Sequence, residues 1–436
     1  MSTAAAPATS ALKSSSIDVV ILSNGPGEVA TWVKPVVRSL QQKAPNLRIS
    51  VILSPCPHAS GQEPTILQGY PEVDRVQSAP HFFEFLLTGK TADGWDWHPQ
   101  GVVVFLGGDQ AFTWLIGKRL GYHTVIYAEW EARWSGLVNQ FGVMQSEVID
   151  QVPARHQHKF TEVGDLMADV QTAANRAEII DALGVSPTAD LIGFLPGSKP
   201  TKLRPGIPLS LAIAQTLHTQ TPQTQYVIGV APNLTPADLA RYADPDQNPL
   251  VPVFQGPPTT LVTPPAGLPY FQIENGPKVF LWQRFPALDL FSQCALCLTT
   301  IGANTAQLGA LAVPMIVLLP TQQLDGLKLW DGLPGLLAGL PGVRSLARRF
   351  ISPWIIKRLQ KSDKRFAWPN IWAKREVVPE LLGPITAQQV SERVQDYLTH
   401  PEKLAAMRQT LRNLRGPAGA ADKMADLILK AVDYPV

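Results

Sequence analysis

Short runs that are apolar at almost every position alternate along this chain with longer stretches whose apolar residues recur at helical spacing. Residues 17–23 (IDVVILS), 47–53 (LRISVIL), 102–106 (VVVFL) and 124–128 (TVIYA) read as buried strands. A strand with one wet face would instead alternate polar and apolar residues. The first run leads into a Gly/Pro-rich loop at 24–28 and a helix predicted to about residue 42. The third ends at Gly107-Gly108-Asp109 and the fourth at Glu129. Buried strands alternating with helices predict a doubly wound parallel sheet, complete by about residue 165.

The pattern then restarts. Residues 191–195 (LIGFL) form a strand closed by Pro196-Gly197-Ser198. The helix after it is expected to begin beyond Pro205 or Pro208, because proline breaks helix interiors. A strand follows at 225–230, and the proline-crowded 244–278 reads as an irregular excursion or hairpin. Strand 296–300, a Gly/Asn loop, a helix and strand 315–319 complete a second α/β unit. Residues 386–398 and 401–431 read as helices, with Leu404, Met407, Leu411 and Leu414 on one face. The expected organisation is a disordered leader at 1–16, Rossmann-like domains at 17–165 and 166–385, and C-terminal helices at 386–436.

At 436 residues the chain exceeds what one core usually supports, in keeping with two domains. A net charge of only +2 argues against nucleic acid as a partner of the whole protein. Cys56, Cys294 and Cys297 cannot build a disulfide framework and suit a reducing compartment. Cys294 and Cys297 form one C-x-x-C without further ligands nearby, so they read as buried thiols. His156 and His158 lack metal-ligand spacing, and Asp244-Pro245-Asp246 reads as a turn. The leader MSTAAAPATSALKSSS has no apolar core of the signal-peptide kind, and no run is apolar for long enough to span a membrane. A cytoplasmic protein is expected.

Ligands of open α/β sheets gather where strand ends meet helix starts, and four loops occupy such places. Asn24, Gly25, Gly27 and Glu28 follow the first strand. This is not a dinucleotide loop, because a carboxylate would repel pyrophosphate; it suits a hydroxylated acceptor, or is a tight turn with Glu28 at the helix start. Asp109 follows a buried strand and is either a general base or a helix N-cap. Gly197, Ser198 and Lys199 offer backbone amides and a cation suited to phosphate, and Gly302, Asn304, Thr305 and Gln307 repeat that logic. In each case an ordinary turn and cap is the alternative. Residues 369–382 crowd Asn370, Arg375, Glu376 and Glu380 among apolar positions.

That last run, PNIWAKREVVPELL, resembles the P-N-x-(L/W)-A-x-R-E-(V/L)-V-P-E-L-L signature of lipid-A-disaccharide synthases. FLPGSK at 194–199 is similar to their L-L-P-G-S-R loop, and GANTAQLGALAVPMIV at 302–317 to their segment opening G-T-A-x-x-E and closing P-M-V. Residues 163–169 resemble their hinge G-H-x-x-x-D, and Gly107-Gly108-Asp109 falls on their strand-end G-x-D. The resemblance covers nearly the whole chain in order and is strongest after residue 190. It implies a GT-B fold: α/β, two tandem Rossmann-like domains facing across a cleft, with the C-terminal helices packing back. It also implies a UDP-sugar donor in the C-terminal domain, no metal or other cofactor, inversion at the anomeric carbon, a lipid or glycolipid acceptor, and Asp109 as base. Gln307 stands where the family has glutamate, Lys199 where it has arginine, and Asp165 where it has the hinge histidine. The first loop, LSNGPGE, departs from the family's A-G-E-x-S-G-D. These differences point to a related transferase with another acceptor.

Residues 344–365 hold eight Lys/Arg against one acid, interleaved with Phe350, Trp354 and aliphatic residues. That composition suits an interfacial helix on an anionic membrane, and hence a protein lying peripherally on the inner or plasma membrane. Phe82 to Leu87 with Trp95 and Trp97 is a second candidate; a core-packed helix is the alternative for both. A homodimer is a further option. A UDP-sugar 2-epimerase-like enzyme and a non-catalytic sugar-nucleotide- or lipid-binding protein are the competing readings.

Overall fold

A computed structural model describes residues 17–56, 59–170, 176–322 and 365–433. The chain divides into two units, one of residues up to Asp169 together with those from Ala418, the other Val170–Pro417.

The described residues of the first unit form seven strands: β1 (Ile17–Ser23), β2 (Leu47–Leu53), β3 (Arg75–Gln77), β4 (Gly101–Phe105), β5 (His123–Ala128), β6 (Gln140–Val143) and β7 (Phe160–Glu162). They lie in the order β3-β2-β1-β4-β5-β6-β7, every pair parallel. Successive side chains of a strand point to opposite faces, and here both faces are covered. Val19, Ile21, Ile49, Val51, Val102 and Val104 pack with Val33 and Leu40, and with Met424 and Ile428 of the Ala420–Ala431 helix. Val20, Leu22, Ile52 and Val103 pack with Phe82, Phe85 and Ile116 on the other face. Double coverage is the reason these strands read as unbroken apolar runs.

The described residues of the second unit form eight strands: β8 (Leu191–Leu195), β9 (Gln225–Gly229), β10 (Thr259–Val262), β11 (Tyr270–Ile273), β12 (Lys278–Trp282), β13 (Leu296–Thr299), β14 (Met315–Pro320) and β15 (Glu380–Gly383). Their order is β10-β11-β12-β9-β8-β13-β14-β15. The proline-rich excursion supplies the antiparallel pairs β10–β11 and β11–β12, after which β12 rejoins the parallel sheet beside β9. Cys294 and Cys297 are fully buried free thiols packed against Gly193, and burial pushes the Cys297 thiol up.

Two expectations are corrected. The helix after β8 runs Pro200–Gln220 and contains both Pro205 and Pro208. Proline at 208 deprives the Arg204 carbonyl of its helical donor. The Asn248 side-chain amide takes that place at 2.8 Å, and also reaches the Tyr242 carbonyl at 2.7 Å. The C-terminal helices do not form one block either. Ala387–Thr399 and Pro401–Arg415 belong to the second unit, whereas Ala420–Ala431 returns to the first. Gly416 and Gly419, at φ of 74° and 115°, break the run between them. The Asp169 carboxylate accepts the Gly419 and Ala421 amides at 2.5 Å each, capping the returning helix.

Candidate functional site

In each unit the strand order reverses once beside the first strand, and the reversal opens a crevice at the carboxyl ends of the two strands flanking it. In the first unit these are β1 and β4. The sequence-predicted residues Asn24, Gly25, Gly27, Glu28 and Asp109 all follow one or other of them. Helix begins at Pro26, so Gly27 and Glu28 sit in a first turn and not in a loop. Gly107 and Gly108 have φ of 135° and 103°, which an L side chain rarely adopts. The space is also closed to one. A Cβ on Gly107 would lie 2.9 Å from Asn24 Oδ1, and one on Gly108 would lie 2.7 Å from Ser54 Oγ. Asn24 Oδ1 is buried and finds no hydrogen-bond partner among the described residues.

Asp109 is exposed and caps the Gln110–Leu120 helix, its Oδ1 accepting the Ala111 amide at 2.9 Å. The N-cap reading is therefore correct, and it is compatible with the other one. A cap fixes the carboxylate's orientation while leaving it open to solvent.

Sequence reasoning missed the segment after β5. The buried Gln110 side chain donates to the Glu131 carbonyl at 2.9 Å and accepts the Arg133 amide at 2.8 Å. That clamp holds Trp130 and Trp134, 42% and 49% exposed, beside the helix that Asp109 caps. The legible signal was two tryptophans and an arginine directly beyond a strand's carboxyl end.

The second membrane candidate is largely core. Phe82 and Phe85 are fully buried, while Phe83 and Leu87 stay exposed. Trp95 and Trp97 lie against the Arg75 guanidinium, 4.7 and 5.1 Å from their ring centres. Arg75 and Arg48 attend Asp18, which is buried near the amino end of β1. The 344–365 candidate lies outside the described residues apart from its last one.

In the second unit the order reverses between β8 and β13. Gly197 and Gly302 both have positive φ, 98° and 130°, and stand at the two strand ends. Ser198 and Lys199 are exposed, with Lys199 at the N-cap of the Pro200–Gln220 helix. Asn304 and Gln307 are half-buried on the Ala303–Ala310 helix. Lys202, which sequence reasoning passed over, joins the two loops. Its chain lies over Gly197, where a Cβ would come within 2.9 Å of Lys202 Cδ, and its Nζ donates to the Ile301 carbonyl at 2.6 Å. Burial first, and then Lys199, pull the Lys202 ammonium below its ordinary range. Thr300 Oγ1, in the β13 loop, is buried without a hydrogen-bond partner among the described residues.

Three residues expected at the donor are committed to the protein itself. Thr305 Oγ1 donates to the Gly302 carbonyl at 2.9 Å and accepts the Trp368 amide at 3.1 Å. Asn370 accepts the Val377 and Val378 amides and donates to the Val378 carbonyl and to Glu380, all within 2.9 Å. Both Glu380 oxygens accept from the Phe366 amide, and Oε1 also takes the Ala367 amide. These bonds explain why Asn and Glu stand in that run: they fasten the Trp368–Ala373 helix to β15. Arg375 and Glu376 are exposed on the turn between them.

Among the described residues no helix is long and apolar enough to cross a membrane, and no group of three or more His, Cys, Asp or Glu could hold a metal ion. No family model matches the chain. Its sequence is similar to the lipid-A-disaccharide synthase of Geobacter metallireducens, 23% identical over 62% of this chain and 56% of the relative. It is likewise similar to that of Geobacter sulfurreducens, 23% identical over 63% and 58%. The match spans little more than half the length of these proteins, and the chain is a divergent relative of them. In structure it resembles the UDP-GlcNAc 2-epimerase of Neisseria meningitidis solved with UDP-GlcNAc, at a TM-score of 0.51 and 14% identity, covering 95% and 100% of the two chains. It also resembles the S. aureus MnaA–UDP co-structure, at a TM-score of 0.53 and 10% identity, covering 96% and 97%. That likeness shows the fold: two tandem Rossmann-like domains of the GT-B class.

Proposed function

We propose that this protein is an inverting glycosyltransferase that moves a sugar from a UDP-sugar to a membrane lipid or glycolipid. The observation that carries the reading is the crevice between β8 and β13. Two glycine turns at positive φ, two helix starts and two lysines converge there, and among the described residues no carboxylate pairs with Lys202. Such a place suits a diphosphate. The Geobacter relatives' names supply the chemistry, and the Neisseria and S. aureus complexes show that proteins of this fold hold UDP-GlcNAc and UDP.

In the proposed reaction Asp109 accepts the proton of an acceptor hydroxyl as its oxygen attacks the anomeric carbon. The bond from that carbon to the β-phosphate oxygen breaks, and UDP leaves with the electron pair. Backbone amides of the 197–199 and 302–304 turns and the lysine ammonium groups meet the charge that develops on UDP, so no metal is required. Attack opposite the leaving group inverts the anomeric centre. Exposed Trp130 and Trp134 beside Asp109 suit an amphiphilic acceptor.

The test is incubation with UDP-sugars and a lipid extract. UDP release together with a new glycolipid supports the proposal, and no release with any donor and acceptor removes it. The fold shared with the 2-epimerases favours a second reading, which predicts conversion of the UDP-sugar without any acceptor.

A further inference from the structure

Several half-buried cations of the described residues rest on backbone carbonyls, Arg408 on those of Cys294 and Ala295 and Lys159 on those of Ser135 and Val138, but Lys202 is the one among these three that stands between two glycine turns at strand carboxyl ends. Lys202 is half-buried, its ammonium sits at the meeting point of the β8 and β13 loops, and among the described residues no carboxylate pairs with it. Its one hydrogen bond goes to a neutral carbonyl, that of Ile301, and its nearest charge of consequence is another cation, Lys199. A cation removed from water without a counter-charge costs stability, and a fold keeps such a group where an anion arrives to pair with it. The surroundings fit an anion. Gly197 and Gly302 expose backbone at positive φ, a Cβ on Gly302 would fall 3.1 Å from Lys202 Nζ, and Thr300 Oγ1 lies buried and unpartnered in the same loop.

From this geometry we infer that Lys202 is the diphosphate-binding cation of the second unit, exchanging its bond to the Ile301 carbonyl for a phosphate oxygen of a nucleoside diphosphate. The residue also acts as a latch. While the crevice is empty its side chain bridges the β8 and β13 loops, and a bound diphosphate takes over that bridge. Lys199, exposed at the helix N-cap, lies further out, where its charge draws the anion in. This places the chief phosphate contact three residues beyond the position where the family resemblance put it. The inference rests on the donor reading only for the uridine part of the probe.

The experiment is calorimetric titration of UDP, inorganic pyrophosphate and uridine into wild type, Lys202→Met and Lys202→Arg, with thermal unfolding of each ligand-free protein. Loss of one charge-assisted contact weakens UDP binding of Lys202→Met roughly 10- to 100-fold. Lys202→Arg, which keeps the charge, recovers most of the affinity. Uridine affinity is the same in all three, and ligand-free Lys202→Met melts no lower than wild type, because it sheds an unpaired buried charge. UDP binding by Lys202→Met equal to wild type overturns the inference and leaves the donor reading intact. An equal loss of uridine affinity, or a lower melting point without ligand, overturns it in favour of a merely structural bridge. Pyrophosphate binding that depends on Lys202 in a protein indifferent to UDP supports the inference and removes the donor reading. Binding of neither anion by wild type removes both.

Discussion

Asp18 in the first unit and Lys202 in the second are both ionised groups drawn in from water, and their surroundings could hardly differ more. Asp18 is completely buried near the amino end of β1. It is held by Arg48 at 2.6 and 3.0 Å, the His98 amide at 2.7 Å and the Tyr122 hydroxyl at 2.8 Å. Burial raises its pKa, but the bonds from Arg48, His98 and Tyr122 outweigh that and keep it below the ordinary value. Lys202 stands at the carboxyl end of its sheet with one carbonyl and another lysine. A satisfied charge at the amino end of a sheet holds the fold together. An unsatisfied one at the carboxyl end, where α/β sheets bind ligands, awaits its partner. The two crevices differ in the same spirit: the first offers carboxylates and indoles, the second offers cations and bare backbone.

The largest effect separates the crevices by chemistry. Asp109→Asn removes the proposed general base, and turnover is expected to fall roughly 10²- to 10⁴-fold. UDP affinity, which the proposal assigns to the second unit, is expected to stay within about two-fold, a change worth well under 1 kcal/mol. UDP release and calorimetry read the two quantities in parallel, and unchanged turnover removes Asp109 from the mechanism.

The next effect breaks the satisfied ion. Asp18→Asn removes the buried one of the two carboxylates that Arg48 and Arg75 share, leaving them only the exposed Asp96, at an expected cost of about 3 kcal/mol. Denaturant unfolding followed by the fluorescence of Trp95 and Trp97, which stack on Arg75, reports it. UDP binding should survive wherever the protein remains folded. A cost below about 0.5 kcal/mol, the ordinary scatter of surface changes, contradicts the structural role assigned to the cluster.

Asn370 tests how a motif is to be read. Its bonds to the amides of Val377 and Val378, the Val378 carbonyl and Glu380 leave it no donor or acceptor to spare. Asn370→Ala is expected to cost about 2 kcal/mol through those buried groups, with UDP affinity little changed at temperatures where the variant is folded. A large loss of affinity at unchanged stability would return Asn370 to the donor site.

These cases show what was legible in the chain. Strands 17–23, 47–53 and 191–195 could be read to the residue because both of their faces are buried. The crevice loops could be read because ligand loops follow strand ends. The start of the Pro200–Gln220 helix could not, since the group that makes Pro208 tolerable is Asn248, 44 residues from the carbonyl it satisfies. Lys202 could not, because its meaning lies in burial and a missing counter-charge, neither of which is local. Asn370 and Glu380 were noticed for the right reason, polar residues set among apolar ones, but their polarity serves the fold.

The smallest effect is the most direct measure of the difference between Asp18 and Lys202, and it runs oppositely with pH. Asp18 is held below its ordinary value of 3.8, so its contribution to stability is complete above that value and is lost as pH falls through the lowered one. Lys202 is held below its ordinary value of 10.5. Under conditions where both folded and unfolded chains carry its proton, the ligand-free protein bears the full cost of the buried charge. As pH rises through the lowered value the folded amine discharges while the unfolded one stays protonated, and the cost fades until about pH 10.5. The melting-point gap between wild type and Asp18→Asn should therefore narrow toward acid, and any advantage of Lys202→Met over wild type should narrow toward alkali. Saturating UDP should abolish that advantage at neutral pH, because the anion supplies the charge the fold withholds. A Lys202→Met advantage that does not change with pH or with UDP would mean the side chain pays for something other than its charge.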